Sequence, residues 1–410
     1  MEKSITKNKN CRICLGKDLA KFLSLGKMPP ANAFLTKGKL DKTEPIFPLD
    51  VYFCRGCGSV QLMDVVSPKT LFKNYTYLTS ASQPLVEHFV ELGNEVVKKF
   101  LRSSNDLVVE IGSNDGSLLG SIKDNCRILG IEPDKAIADI AARAGVKTLP
   151  EFFTSALANK VVTDFGSARV VLANNVIAHI DNLKDVFEGV SALLTDDGAF
   201  IFEVHWVGNL IGEGGFDQIY HEHLSYFSLS ALRKAADLWG MKLVDVRKVP
   251  IHGESLRVYL KKKGVESKAV RRLLEEEKER GLFAESTYRA FAERVRQNKS
   301  DLVSMLKKLK KQNKTIVGYG APAKGNTLLN YCSIDGGLVD YIIDTTPFKQ
   351  GLYTPGTRIP VLRPEIIKKN PPDYLLLLAW NYADKIMEKE KWYKELGGKF
   401  IVPVPSPVIV

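Results

Sequence analysis

This 410-residue chain has no apolar run approaching the ~20 residues that a bilayer-spanning helix needs. That speaks against a membrane partner. No apolar signal segment follows Met1, so the cytoplasm is the expected compartment. Cysteine is scarce, and four of the six residues stand in two close pairs; in a reducing compartment that pattern means metal rather than disulfide. The turn Gly112-Ser-Asn-Asp-Gly116 lacks the Gly-x-Gly-x-x-Gly of a dinucleotide site, which counts against an NAD oxidoreductase. His-Glu-x-x-His is absent too, which removes the usual zinc hydrolase. Residues 264–313 contain no proline and read as long helices with solvated faces.

What is present begins with charge. The net charge of +11 favours an anionic partner. The excess is scattered over Lys98-Lys99, Lys261-Lys262-Lys263, Arg271-Arg272 and Lys307 to Lys311, so it forms no single patch. A zinc-module nucleic-acid-binding protein would need basic and aromatic residues interleaved around its knuckles, and only Arg12 and Arg55 lie inside them. No nucleic-acid partner is expected; a phosphorylated small molecule would use the same field. The protein is expected to be a monomer.

The chain is organised around Val108-Val-Glu-Ile-Gly-Ser-Asn-Asp-Gly116. An apolar strand (107–111) runs into a glycine turn, and a helix-like stretch follows. Glycine lets backbone approach a ligand closely, and the helix start offers free N–H groups. The turn carries Glu110 and Asp115, which suit a cationic ligand. A second strand, 127–131, ends at Glu132, where a carboxylate can accept from both hydroxyls of a ribose. Sulfonium, amino-acid tail and ribose together point to S-adenosylmethionine (SAM).

Cys11-Arg-Ile-Cys14 and Cys54-Arg-Gly-Cys57 are spaced as two zinc knuckles. Four thiolates close the coordination shell and make the metal structural. Further strands are expected at 169–173, 199–204, 242–248 and 255–260, with helices at 84–101, 135–144 and 182–194 between. A second strand–glycine turn–helix–strand–acid unit runs from Thr315 through Gly320 and Lys324 to Asp344. Lys324 there argues for phosphate. The fold class is α/β. An N-terminal zinc-binding module spans 1–68. A central Rossmann-like SAM methyltransferase domain spans 69–263. A helical connection and a C-terminal Rossmann-like α/β domain span 264–410.

Ligands of such sheets sit beyond the carboxyl ends of the strands. Glu132-Pro133, Asn174-Asn175 with His179, and Tyr220-His221-Glu222-His223 all fall there. His-x-His with Glu could be a metal site. Acid–base work beside the cofactor is the reading preferred here, because histidine titrates near neutral pH and a neighbouring Glu or Tyr can tune it. His88 is read as structural.

These residues resemble the SAM-dependent sugar C-methyltransferases that act on nucleotide-linked 4-keto-6-deoxyhexoses. The resemblance rests on Cys11, Cys14, Cys54 and Cys57; on Glu110, Gly112, Asn114, Asp115 and Gly116; and on Glu132, Pro133, Asn174, Asn175 and His179. It extends to Tyr220-His-Glu-His-Leu-Ser-Tyr-Phe227 and to Gly318-Tyr-Gly-Ala-Pro-Ala-Lys-Gly-Asn326. It implies C-3 methylation of a keto-deoxysugar through an enolate, with SAM as methyl donor and structural zinc. It also places Tyr77, His252, Lys324 and Asn326 near the substrate. Where that family reads His-Gly-Gly-Ser, this chain has His252-Gly-Glu-Ser255. Removing the C-3 proton needs a base and a donor for the enolate oxygen. His223 is assigned as base with Glu222 in support. Tyr220 and His179 are assigned to the enolate or the sugar, and either could be the base instead. A SAM-dependent methyltransferase of another small molecule is the alternative.

Overall fold

The computed structural model describes residues 4–71, 78–251 and 254–410. Tyr77 and His252, both expected near the substrate, lie outside the described residues.

Apolar runs set the central sheet. Leu107–Ile111 is buried throughout, as a strand covered on both faces must be. It pairs in parallel with Arg127–Ile131 on one side and Ala168–Asn174 on the other. The seven strands run in the order Lys242–Val249, Ser255–Lys261, Leu194–His205, Ala168–Asn174, Leu107–Ile111, Arg127–Ile131, Thr148–Leu149. Ser255–Lys261 runs antiparallel to both of its neighbours. The chain order therefore reverses outward from Leu107–Ile111. That creates the crevice at the strands' carboxyl ends where ligands of doubly wound sheets bind.

The helix Gln83–Phe100 covers one face, burying Leu85, Phe89, Leu92 and Val96 at helical spacing. Its His88 meets a buried ionic network: His88 Nε2 lies 2.9 Å from Glu203, and Arg257 Nε donates to the same carboxylate at 2.7 Å. The helix Lys268–Glu279 packs against the helix Leu229–Leu238 and the edge strand Lys242–Val249. Its buried Glu277 accepts from Trp206 Nε1 at 2.7 Å and from Leu229 N at 2.6 Å, placing a carboxylate at the start of the helix Leu229–Leu238.

The N-terminal module is a small antiparallel sheet of Leu19–Met28, Phe47–Cys54 and Val60–Leu62, completed by a fourth strand from far along the chain. Ser225–Tyr226 pairs with Gln61 and Val60. The loop that carries the Tyr220-to-His223 cluster thus ends as an edge strand of the zinc module.

Two helices, Lys268–Glu279 and Glu285–Lys311, occupy the stretch read as solvated helix. Beyond them a six-stranded sheet contains parallel Ile316–Tyr319, Tyr341–Ile343, Tyr374–Leu377 and Lys399–Val402. Its resemblance to the first unit extends to single hydrogen bonds. Gly112 N donates to Ile131 O and Gly320 N to Ile343 O, each at 2.7 Å. Glu132 accepts from Asn114 N and Asp134 N; Asp344 accepts from Ala321 N and Thr346 N. In both units the acid after the second strand clamps the glycine turn after the first.

Candidate active site

The glycine turn is built tightly. Gly112 and Gly116 have φ of 67° and 78°, a region that favours glycine. A Cβ on Gly112 would sit 2.4 Å from Val176 Cγ2. Val176 begins the turn whose closing bond, His179 N to Val176 O at 2.9 Å, sets the position of His179. The missing side chain at 112 therefore lets the His179 segment lie against the turn.

Three carboxylates converge there. Glu110, Asp115 and Glu132 are all buried. Burial, and then the charges of Asp115 and Glu132, push the Glu110 carboxyl well above its ordinary range. Burial also raises Glu132. Glu110 Oε2 and Ser113 Oγ are buried without a hydrogen-bond partner among the described residues. Asn114 Oδ1 accepts from Thr79 N at 2.9 Å, and Asp115 from Ser80 N at 2.8 Å, which ties the turn to the segment entering the first long helix. Asn174 is buried beside Glu110, Asn175 N donates to Glu203 O, and Pro133 is exposed.

On the next strands the imidazoles gather. His179 and His223 rings lie 5.0 Å apart, His205 and His223 5.3 Å, and Tyr220 and His223 4.0 Å. His223 Nδ1 lies 3.0 Å from the Gln218 carbonyl, which can only accept, so Nδ1 carries the proton. Nε2 is then the acceptor for the Tyr220 hydroxyl at 2.8 Å. By the same reasoning His179 Nδ1 donates to Glu222 O at 2.7 Å. Burial lowers the His179 pKa, which favours the neutral ring. His205 was missed in the sequence. It ends the strand Leu194–His205, one residue beyond the expected boundary, at the carboxyl end where ligands bind.

Two expected placements are changed. The Glu222 carboxylate is not hydrogen-bonded to His223 among the described residues; it turns to the N-terminal module and accepts from Asn32 Nδ2 at 2.9 and 3.1 Å. Adjacent residues on a turn face different ways, and the remote amide decides the direction. Burial pushes the Glu222 carboxyl up to about 7. Its neighbour His221 points to Phe47 O and is depressed to about 4 by burial. Lys324, expected to face a phosphate, instead lies 4.2 Å over the Trp380 ring and bonds Asn381. Asp217 and Glu213 supply its counter-charge. Asn326 Nδ2 donates to Ala31 O at 2.7 Å and leaves Oδ1 buried without a partner among the described residues. A cavity of about 280 Å³ opens instead beside Gly320, Asp344, Thr346 and Lys349.

The four knuckle cysteines bring their sulfurs within 4.8 Å of one another. Cys11–Cys57 and Cys14–Cys54 sulfurs are 3.6 and 3.5 Å apart, close to the ~3.8 Å edge of a tetrahedron with 2.3 Å zinc–sulfur bonds. Gln61 Nε2 donates to Cys11 Sγ at 3.1 Å, the outer support that a metal thiolate attracts.

Family models match along the chain. A zinc binding domain covers 11–72, a methyltransferase domain 87–246 and a C-methyltransferase C-terminal domain 250–405. The chain is 37% identical over 404 residues to C-methyltransferase NovU of Streptomyces niveus, spanning 98% of this chain and 96% of that protein. The chain belongs to the C-methyltransferase family. Solved structures similar to this C-methyltransferase include a SAM-dependent methyltransferase of Anabaena variabilis, 13% identical with TM-score 0.37, covering 47% of this chain and 90% of that one. Magnesium protoporphyrin IX methyltransferase of Synechocystis is 12% identical with TM-score 0.33, covering 43% and 83%.

This C-methyltransferase is a SAM-dependent enzyme with a zinc module, and its residues fit both groups. The convergent carboxylates and the orphaned Glu110 oxygen suit a ligand bearing a sulfonium and an ammonium. The sulfur tetrahedron suits zinc and leaves no ligand position open. No helix among the described residues is long and apolar enough to cross a membrane.

Proposed function

We propose that the enzyme methylates C-3 of a nucleotide-linked 4-keto-6-deoxyhexose. One observation carries the reading: His223, Tyr220, His179 and His205 are gathered at the same end of the sheet as the acidic glycine turn. Methylating an amine needs little more than an approaching lone pair, and a hydroxyl already holds its lone pairs and sheds its proton from oxygen. Methylating carbon requires a proton to be taken from carbon first, so proton-transfer groups must stand beside the methyl donor. SAM, when bound, supplies the electrophilic methyl group.

The chain's own residues do the rest in this reading. Glu132 holds the ribose hydroxyls, while Glu110 and Asp115 supply the negative field for the cation, with Asn114, Asn174 and Asn175 alongside. His223 Nε2 is the acceptor for the C-3 proton once Tyr220 moves its hydroxyl to the substrate oxygen. Tyr220 O–H then donates to the enolate formed from the C-4 carbonyl. His179, neutral and held through Nδ1, offers its other edge to the sugar. The C-terminal unit takes the nucleotide. The cavity beyond Gly320, lined by Lys349, Thr345 and Thr346, suits a phosphate better than Lys324 does. The domain division at 68 and 263, a monomeric state and a cytoplasmic location belong to the same reading.

The test is to supply nucleotide-4-keto-6-deoxyhexoses with SAM and read product mass and the site of the new methyl group. A methyl group on oxygen, or turnover only of substrates without a ketone, would reject it. In the C-terminal cavity, Lys349→Ala should raise the sugar-nucleotide KM more than Lys324→Ala does.

A further inference from the structure

We propose that Asn32 of the zinc module is a positioning residue of the catalytic site, acting through Glu222 on His179. The inference rests on the reading of His179 as a site residue given above.

Asn32 follows Pro29-Pro30-Ala31 in the connection between the strands Leu19–Met28 and Phe47–Cys54. This short segment is held from both sides. Ala31 O accepts from Asn326, and Leu35 exchanges two backbone hydrogen bonds with Tyr353, N to O at 2.9 and 2.8 Å. The segment is therefore a strap fastened to the C-terminal unit before and after Asn32. Asn32 itself turns the other way, to the loop of the methyltransferase domain. Its amide is the one hydrogen-bond partner of the Glu222 carboxylate among the described residues. Glu222 is 5% exposed, so water cannot replace that amide freely.

The backbone of Glu222 has the second task. Its carbonyl takes the His179 Nδ1 proton at 2.7 Å, which fixes both the ring's tautomer and its orientation. Next along the loop, Leu224 N donates to Ala178 O at 2.8 Å and ties the same two segments again. A shift of Glu222 toward a new partner would move the carbonyl, and with it the ring that faces His223. The titratable groups around Glu222 are His179 across the crevice and Tyr220, His221 and His223 on its own loop. Among the described residues of the zinc module, only the neutral Asn32 amide bonds it.

The experiment exchanges the two partners. Asn32→Asp sets two carboxylates against each other and should lower kcat roughly ten- to hundred-fold, with the KM for SAM unchanged. Glu222→Gln alone should lower it as well. The double variant Asn32→Asp/Glu222→Gln restores an amide–carboxylate bond with the roles reversed and should recover to within roughly five-fold of the parent. Zinc content should stay at the parent's value throughout. A second readout needs no turnover: in protein labelled with ¹⁵N-histidine, His179 should be the Nδ1–H tautomer in the parent and the double variant, and a mixture in Asn32→Asp. If the parent turns over no keto-sugar, the functional reading fails, while the tautomer measurement still decides this one. Parent-like kcat and tautomer in Asn32→Asp, loss of zinc in that variant, or a double variant no better than its worse single would each overturn the proposal.

Discussion

The Tyr220 hydroxyl sits 2.8 Å from His223 Nε2 while the opposite ring nitrogen is held by the Gln218 carbonyl. In the proposed mechanism the lone pair that receives the substrate proton is thus occupied by a tyrosine, and substrate has to draw the hydroxyl away. The two residues are joined by that bond, and replacing either removes it. His223→Ala and Tyr220→Phe are each expected to slow methyl transfer by roughly 10²- to 10⁴-fold. In deuterated water without methyl donor, both should also suppress exchange at C-3 of the keto-sugar, and a separate titration should show that each variant still binds SAM. Exchange persisting in His223→Ala but lost in His179→Ala would move the base to His179.

Glu132 already accepts two backbone N–H groups, from Asn114 and Asp134. Glu132→Ala should weaken SAM binding at least ten-fold by calorimetry, because charged acceptors contribute about 1.5–3 kcal/mol per hydrogen bond. It should also loosen the turn. An unchanged dissociation constant would remove Glu132 from the cofactor site.

Cys54→Ser should strip the metal and lower the melting temperature by several degrees, since one ion would tie together the two knuckles and Cys11 and Cys54 are buried. Metal analysis and thermal melts read this directly. A variant that keeps its stability but loses catalysis would contradict a structural metal.

Stability should depend on pH through Glu222. Its carboxyl is raised from the ordinary 4.5 to about 7 by burial. A carboxyl raised on folding favours the folded state fully below pH 4.5. That contribution fades as pH climbs through about 7, because ionising the buried group costs about 3 kcal/mol. Glu222→Gln should flatten this dependence and lose less stability than the parent between pH 5 and 8. Parallel pH–stability curves would rule it out.

Gly112→Ala should cost about 1–3 kcal/mol, since φ is 67° and the new methyl would strike Val176. Because Val176 opens the His179 turn, turnover should fall further than SAM affinity does. Equal losses would mean that the strain stays local.

Much of this was legible because it is local. The strands Leu107–Ile111 and Arg127–Ile131 are plain apolar runs, and the acids that close the two repeated units follow directly in sequence. The knuckles announce themselves by spacing. Side-chain direction across domains was not legible. Glu222 turns away from His223 because of an amide 190 positions earlier, and Lys324 turns from the cavity because Trp380 and the buried Asp217 offer it a better seat. Ser225–Tyr226 is too short to show any alternation, so nothing in its own residues marks it as a strand of the zinc module.

That borrowed strand also governs the order of assembly. Val60–Leu62 leaves the ribosome long before Ser225–Tyr226 does, and the cofactor-binding half of the central sheet is synthesised between them. At 5–20 residues per second the wait is on the order of ten seconds. Throughout it the N-terminal sheet exposes an unpaired edge, the usual nucleus of intermolecular pairing. A metal ion gripped by the knuckles from the outset would hold that edge in register until its own chain arrives to cover it. Zinc starvation during synthesis should then appear first as aggregated nascent protein.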